Sequence, residues 1–422
     1  MMRALCTALL LCACGAAAAR DADLDALALA DEAPALAATP APARAWRAFA
    51  EAAGAATQPR GGGPAQHDGR LSLDLRLEHG ENGPWRAVAA SRLDLRSRPA
   101  AFEDHAVHTL KEAYVSHAGA QEWAFDIGRI NHRQGVAVGY NPTDLFRDGA
   151  VRSAVSMDPA SLRENRQGSA MLRAQHLWDG GALALALSPR LAGRGAPRGG
   201  WDLDWGATNH RHRAVLAYTQ RWSETLSPQW LLLARQGEPV QGGLNLSGLV
   251  GDATTAYLEW VGGPTPTLPD QALERGGAPT AWRNRLALGA TYTTASRFSF
   301  TAEAHYNGAA PGRAAWQALR MGPPLPYAQY RLWAARAQEP PTRHALFFHV
   351  AWTDAFVQRL DLGALLHLDR TDASRRFWME ARYRADGFDL ALQWQRSRGT
   401  PLSQFGAWPA SGVWSLALRR YF

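Results

Sequence analysis

The sequence predicts an all-β chain: one closed antiparallel barrel of about eighteen strands that spans a membrane. Three observations predict it. The final segment, Val413 to Phe422, alternates large apolar with smaller or polar residues, so Trp414, Leu416, Leu418 and Phe422 share one face. Period-two segments recur from Arg44 onward, and no long apolar run exists beyond the N-terminus. Short turns alternate with long connections. An apolar last strand left at an open edge invites aggregation, whereas in a closed barrel it pairs with the first strand and no edge remains.

In chain order, Arg3 precedes a short apolar run to Cys14, then Gly15 and four alanines before Arg20. That is a secretory signal peptide, assigned to residues 1–19. The run is too short to span a bilayer, which takes about 20 apolar residues. Leu11-Cys12-Ala13-Cys14 also resembles a lipobox, and the alternative is a lipidated Cys14. Cys6, Cys12 and Cys14 all lie here, so cleavage leaves a chain without disulfides, thiol catalysis or cysteine metal sites. Residues 20–43, rich in Ala, Asp and Pro, read as a periplasmic leader. The barrel occupies 44–422.

Strands are expected near 44–52, 70–78, 85–97, 107–117, 121–131, 167–177, 181–188, 212–222, 228–236, 241–249, 252–261, 282–294, 297–306, 343–353, 357–368, 376–385, 388–397 and 412–422. The clearest alternations are Leu71/Leu73/Leu75/Leu77, Phe298/Phe300/Ala302/Ala304/Tyr306 and Phe388/Leu390/Leu392/Trp394. Turns such as Asp179-Gly180 and Asp386-Gly387 contrast with long connections near 132–166, 189–211, 262–281 and 307–342. Short periplasmic turns and long external loops are the topology of an outer-membrane barrel. With Phe422 in the periplasm, counting back requires a strand before 70–78, and Arg44 to Glu51 supplies it. Its alanine-rich composition also suits a helix, so sixteen strands is the alternative.

The second face of each clear strand is polar: Ser72, Asp74, Arg76 and Glu78; Arg92 and Asp94; Ser299, Thr301, Glu303 and His305; Glu380, Arg382 and Arg384. In a barrel this wide such faces line a water-filled lumen. The alternative is that the charges merely pair with one another across strands. The third external loop, 132–166, carries Tyr140, Leu145, Phe146, Val151, Val155, Met157 and Leu162, more apolar side chains than an external loop needs. Asp158-Pro159 is an N-cap followed by proline at the first helical position. This loop is expected to fold inward as a constriction. Asp144, Asp148, Asp158 and Glu164 would then face wall arginines such as Arg92 and Arg382. The alternative is a loop that caps the mouth without setting selectivity.

Net charge is +7 and Lys111 is the only lysine, so the basic excess is arginine. Arginine binds phosphate and carboxylate bidentately, which suits lipopolysaccharide outside and anions within. The arginines are spread over many segments without a recognition-helix pattern, so nucleic acid is excluded as a partner. Catalytic motifs such as HExxH, GxSxG and Walker A are absent. The glycines of 193–200 have the wrong spacing for a dinucleotide loop and read as an external loop. His210 and His212 sit among repelling arginines and make a poor metal pair. No cofactor and no enzymatic activity are expected.

Gly128-Arg129-Ile130-Asn131, Gly135 and Asn141-Pro142-Thr143-Asp144-Leu145-Phe146 resemble a signature of porin-like Gram-negative outer-membrane barrels, near the alginate-export and substrate-specific porin-type barrels. Glu303-Ala304-His305-Tyr306-Asn307-Gly308 is similar to a second element of that group. His132-Arg133-Gln134 stand where the group has a Trp before Gly. The C-terminal strand likewise resembles the assembly signature of outer-membrane proteins, with Trp414 and Phe422 as its anchors and Arg420 at a position usually apolar. The resemblance implies an outer-membrane channel passing small polar or charged solutes, inserted by the barrel-assembly machinery and surrounded by outer-membrane lipids and lipopolysaccharide. The alternatives are a structural or export-accessory barrel with a filled lumen and, less favoured, an outer-membrane enzyme.

Overall fold

The computed structural model describes residues 45–80, 83–98, 104–119, 122–153, 156–195 and 199–422. The expected signal peptide and leader, with the three cysteines, lie outside the described residues, as does Val155.

Alternating side chains build eighteen strands: β1 Trp46–Pro59, β2 Gln66–His79, β3 Trp85–Arg96, β4 Ala106–Ala118, β5 Trp123–Ile130, β6 Ser169–Trp178, β7 Gly181–Ser188, β8 Arg213–Gln220, β9 Gln229–Arg235, β10 Gln241–Leu249, β11 Thr254–Thr265, β12 Ala281–Thr293, β13 Phe298–Asn307, β14 His344–Trp352, β15 Leu360–Asp369, β16 Arg375–Ala385, β17 Phe388–Arg398 and β18 Ala410–Tyr421. Each pairs antiparallel with its chain neighbours, and β1 pairs with both β2 and β18, so the sheet closes. Phe422 continues the closing ladder, its N–H donating to the Ala48 carbonyl at 3.0 Å. All eighteen expected strands are present. Among the described residues no helix is long and apolar enough to cross a membrane; the strands do that.

β1 differs most from expectation. It runs on to Pro59 through Ala-Gly-Ala-Ala-Thr, residues of modest strand preference, because ladders on both sides satisfy its backbone. Phe49 points inward despite its apolar ring. It is covered by the guanidiniums of Arg419 at 4.2 Å and Arg92 at 5.8 Å and by the Tyr421 ring edge. The length rule is also looser than the sequence suggests. The external connections 236–240 and 370–374 are short, and the periplasmic connection 353–359 is not. The long loop 308–343 contains helices Arg313–Met321 and Pro324–Arg336, which period-two reading passes over. Trp316, Tyr327 and Tyr330 on these helices pack with Leu268, Ala309 and Ala310.

The outward faces carry the leucine rows of β2, β17 and β18, all exposed as a lipid-facing belt requires. The inward faces are not uniform. On β6 to β9 and β11 they are largely apolar, with Met171, Ala186, Val215, Ala217, Leu231, Leu233 and Val261 interrupted by Arg173, Arg213 and Glu259. On β1 to β4 and β16 to β18 they are charged.

Candidate functional site

That division decides where the third loop goes. Leu145 and Phe146 of the loop pack with Ile130 against the apolar inward wall in one cluster. Burying those rings removes apolar surface from water on both sides, worth about 1.5–3 kcal/mol for each large side chain. The loop therefore leans on one half of the barrel, and only a gap of about 20 Å³ separates its Ser156 and Ser161 from the charged half.

The resemblance motifs are the parts that fasten it. Gly128 has φ 138°, and a side chain there would strike the Ala113 carbonyl and Tyr114 on β4. Arg129, fully buried, donates to the carbonyls of Gly168 at 2.9 Å and Leu203 at 2.7 Å and stacks on Trp205, tying the entry and exit of the loop to segment 199–205. The segment around Gly200 pairs with β4, His108 N–H donating to the Gly200 carbonyl at 2.7 Å, so it fills wall that β5 vacates. Across the lumen stands Glu259 on β11, with no exposed surface. Its carboxylate accepts from Val136 N and Ala137 N, both at 2.6 Å, from Asn141 Nδ2 at 3.0 Å and from Thr143 Oγ1 at 2.9 Å. Gly135, at φ 96°, leaves the space that this carboxylate occupies. Glu303 on β13 accepts from Val138 N at 2.5 Å, Gly139 N at 2.9 Å, the Tyr257 hydroxyl at 2.6 Å and His305 Nε2 at 2.7 Å. Asn307 Nδ2 reaches Glu339 at 3.0 Å and the Tyr140 hydroxyl at 3.3 Å. The two motif elements, more than a hundred residues apart in sequence, thus meet across the lumen.

The remaining expected site residues fall as follows. Asp144 is buried and accepts from Arg166 Nη1 at 2.7 Å and from Phe146 N at 2.9 Å; its cation is in its own loop, not on the wall. Asp148 is held by Arg194 at 3.0 Å and His210 at 3.4 Å from loop 189–212. Burial works against its charge, but the Arg194 guanidinium beside it, with Arg235 and Arg213 nearby, outweighs that and keeps the carboxyl below its usual range. Asp158 caps helix Pro159–Glu164, accepting from Ser161 N at 2.9 Å, and burial raises its carboxyl despite that bond. Glu164 is exposed to the lumen. Arg92 is buried with Asp94 at 2.9 Å and Glu51 at 3.4 Å, and it also holds Asn165 of the loop at 3.1 Å. Arg76 pairs with Glu78 and Glu112. Glu380 pairs with Arg382 at 2.8 Å, which also faces Asp389 at 3.6 Å. His210 and His212 diverge, the first on Asp148 and the second accepting from Arg190 N, and no metal-binding group occurs among the described residues.

Two spaces beside the loop bear on passage. One, about 160 Å³, lies between the loop and β14 to β16, with Arg133, Arg147, Arg163, Arg166, Tyr140, Phe347, His367 and Arg376 on its walls. The other, about 20 Å³, is the gap between Ser156 and Ser161 of the loop and the charged wall: Glu51, Arg70, Arg382, Asp389, Gln393 and Arg419. The first holds several waters or a small solute; the second is of the order of a single water. Arg376 stands out. It lies over Trp408 at 4.2 Å and Phe405 at 4.9 Å, its Nη2 is buried without a hydrogen-bond partner, and it has no carboxylate partner among the described residues.

Sequence reasoning missed Glu259, Arg129, Arg376 and Arg419. Glu259 and Arg376 sit at inward positions of their strands, which was legible, but nothing local distinguishes them from other inward charges. Arg129 was visible only as part of the resemblance.

An eighteen-stranded closed barrel with its third loop folded into the lumen has the architecture of an outer-membrane porin. The solved structures agree on the fold. Pseudomonas aeruginosa OccK2 (OpdF) matches with TM-score 0.57 at 10% identity, covering 89% of this chain and 97% of that one. OpdL of the same organism gives 0.56 at 12% identity, covering 90% and 98%. Acinetobacter baumannii OccAB1 gives 0.53 at 9% identity, covering 89% and 96%. At such identities the likeness is one of fold. No family model and no curated protein matches the sequence.

Proposed function

We propose that this protein is a substrate-selective outer-membrane channel for small solutes bearing a carboxylate or phosphate. The observation that carries this reading is the unpaired Arg376 guanidinium in the cavity beside the loop, with Arg133, Arg163 and Arg166 around it. A buried cation without a counter-ion is costly, and an anionic solute would satisfy it bidentately. The separate gap between the loop and the charged wall carries both signs, Arg70, Arg382 and Arg419 with Glu51 and Asp389, and its size favours selective passage over general diffusion. The same narrowness favours the second reading, an occluded barrel that works through partners. Planar-bilayer recording of refolded protein decides. The channel reading expects small single-channel steps, anion preference in a salt gradient, and a shift towards cations in Arg376→Gln. Cation preference in the unmodified protein, or no conductance from demonstrably folded barrels, would overturn it.

A further inference from the structure

Four arginines on the outer wall make no ion pair among the described residues. Arg375 on β16 and Arg396 and Arg398 on β17 lie at outward, exposed positions, and Arg370 is exposed in the connection 370–374 just above. Arg375 stands directly opposite Arg398, and Arg396 is two residues along the same face of β17. Like charges directly opposite on a sheet destabilise it, so the cluster calls for an anion between them. None of the four guanidiniums makes an ion pair among the described residues. The adjoining outward residues are Leu368 and Gly412, which supply no charge. The nearby acids are engaged elsewhere. Asp369 accepts from the Thr342 hydroxyl and Thr371 N, and Asp372 from Trp316 Nε1 at 2.8 Å and Gln404 N at 2.7 Å.

The cluster's height is marked by aromatic rings. Phe377, Trp394 and Trp414 form an outward band, with centroids 5.5 and 5.8 Å apart, immediately on the periplasmic side of the arginines. Such a girdle sits at the headgroup level. The arginines lie at the barrel end that carries the long loops, hence in the outer leaflet. At the opposite end the turn arginines are neutralised within the protein: Arg221 by Asp179 at 3.3 Å, Arg359 by Asp386 at 3.0 Å and Arg297 by Asp354. Among the described residues these turn arginines have a counter-charge, whereas the four of the outer cluster have none.

We infer that this face of β16 and β17 is a lipopolysaccharide-binding site, in which Arg375, Arg396, Arg398 and Arg370 clamp the phosphates of lipid A and its acyl chains lie along Phe377, Trp394 and Trp414. The inference rests on the outer-membrane reading but not on conduction. Arginine's planar fork matches phosphate oxygens in pairs, and the flanking apolar wall accepts the chains.

The test uses the full refolded chain in detergent, with native mass spectrometry and competition by three probes: bisphosphorylated lipid A, lipid A stripped of its phosphates, and phosphatidylglycerol. Tightest binding is expected for bisphosphorylated lipid A. The variant R375Q/R396Q/R398Q should bind it about a hundredfold more weakly, taking the usual worth of a surface arginine near anionic lipid. R420Q, at the periplasmic end, should bind as the unmodified protein does. Heat-modifiable mobility on a gel reports folding, and the stripped lipid tests the phosphate requirement without any variant. Undiminished binding by the folded triple variant, equal binding of stripped lipid A, or equal competition by phosphatidylglycerol would each overturn the site. Bilayer recording without lipopolysaccharide tests conduction separately: a barrel that conducts but fails these arms loses only this site, and one that binds lipid A but does not conduct loses only the channel.

Discussion

Replacing Glu259 with alanine should free the third loop. The carboxylate accepts five hydrogen bonds from the loop, at 2.6, 2.6, 3.0, 2.9 and 3.5 Å, in a site closed to solvent. Each bond to a charged acceptor is worth about 1.5–3 kcal/mol. Water entering the vacated space restores part of this, and Glu303 still holds Val138 and Gly139. A net loss of about 3–5 kcal/mol in docking follows, typical of deleting one partner from a buried charged network. The docked-to-released ratio then falls by about a hundredfold to a few thousandfold. Glu259→Gln keeps a carbonyl oxygen for the two backbone N–H groups and turns its amide towards Thr143, so its cost should be about 1 kcal/mol. Trypsin reads the result directly, because Arg133, Arg147, Arg152, Arg163 and Arg166 lie in the loop. With opening fast relative to cleavage, the cutting rate follows the released population. Glu259→Ala should be cut about a hundredfold faster than the unmodified protein, Glu259→Gln only a few-fold faster, and conductance should rise and become noisy in the alanine variant. A folded Glu259→Ala barrel with unchanged trypsin resistance and conductance would refute the view that this carboxylate latches the loop.

Other expectations follow from the same structure. Leu392→Arg, on the exposed middle of β17, should destabilise the folded barrel by about 2–4 kcal/mol in a urea titration in lipid vesicles, as a charge placed against hydrocarbon does. Deleting Phe422 removes the 3.0 Å bond to Ala48 and an aromatic anchor, and should reduce heat-modifiable barrel recovered from outer membranes. Acid should loosen the loops. Burial holds His132 down at about 3 and His210 at about 4, both below their ordinary value near 6.5. The undocked loops therefore take up protons first. Docking is fully supported above about pH 6.5 and weakens as pH falls towards 4 and then 3. Tryptic sensitivity of loops 131–168 and 189–212 after brief acid exposure should rise across that window, and His210→Gln should blunt the part due to loop 189–212.

Strand number, strand faces and the closed sheet were legible in the sequence, because a two-residue period and turn chemistry are local and survive without a structure. The leucines of β2 and the closing apolar strand β18 could be placed by parity alone. Strand ends were less legible where ladders override preference, as in the Ala-Gly tail of β1. The inward course of the third loop could be expected from its apolar content, but its attachment could not. Glu259 meets Val136, Ala137, Asn141 and Thr143 across more than a hundred residues of chain, and hydrogen bonds over such separations leave no local pattern. The pairing of charges was likewise decided by tertiary structure. Asp144 finds Arg166 and Asp148 finds Arg194, because each takes the nearest cation once Leu145 and Phe146 have seated the loop on the apolar wall. Thr301, polar and inward by parity, is buried and bonded to Thr291 at 2.8 Å rather than bathed in the lumen. The sequence by itself determined which side chains face lipid and which face in, since that follows from the pleat. Only the tertiary structure decided which inward charges are neutralised and which, like Arg376, are left for a solute, since that depends on what the folded loop brings within reach.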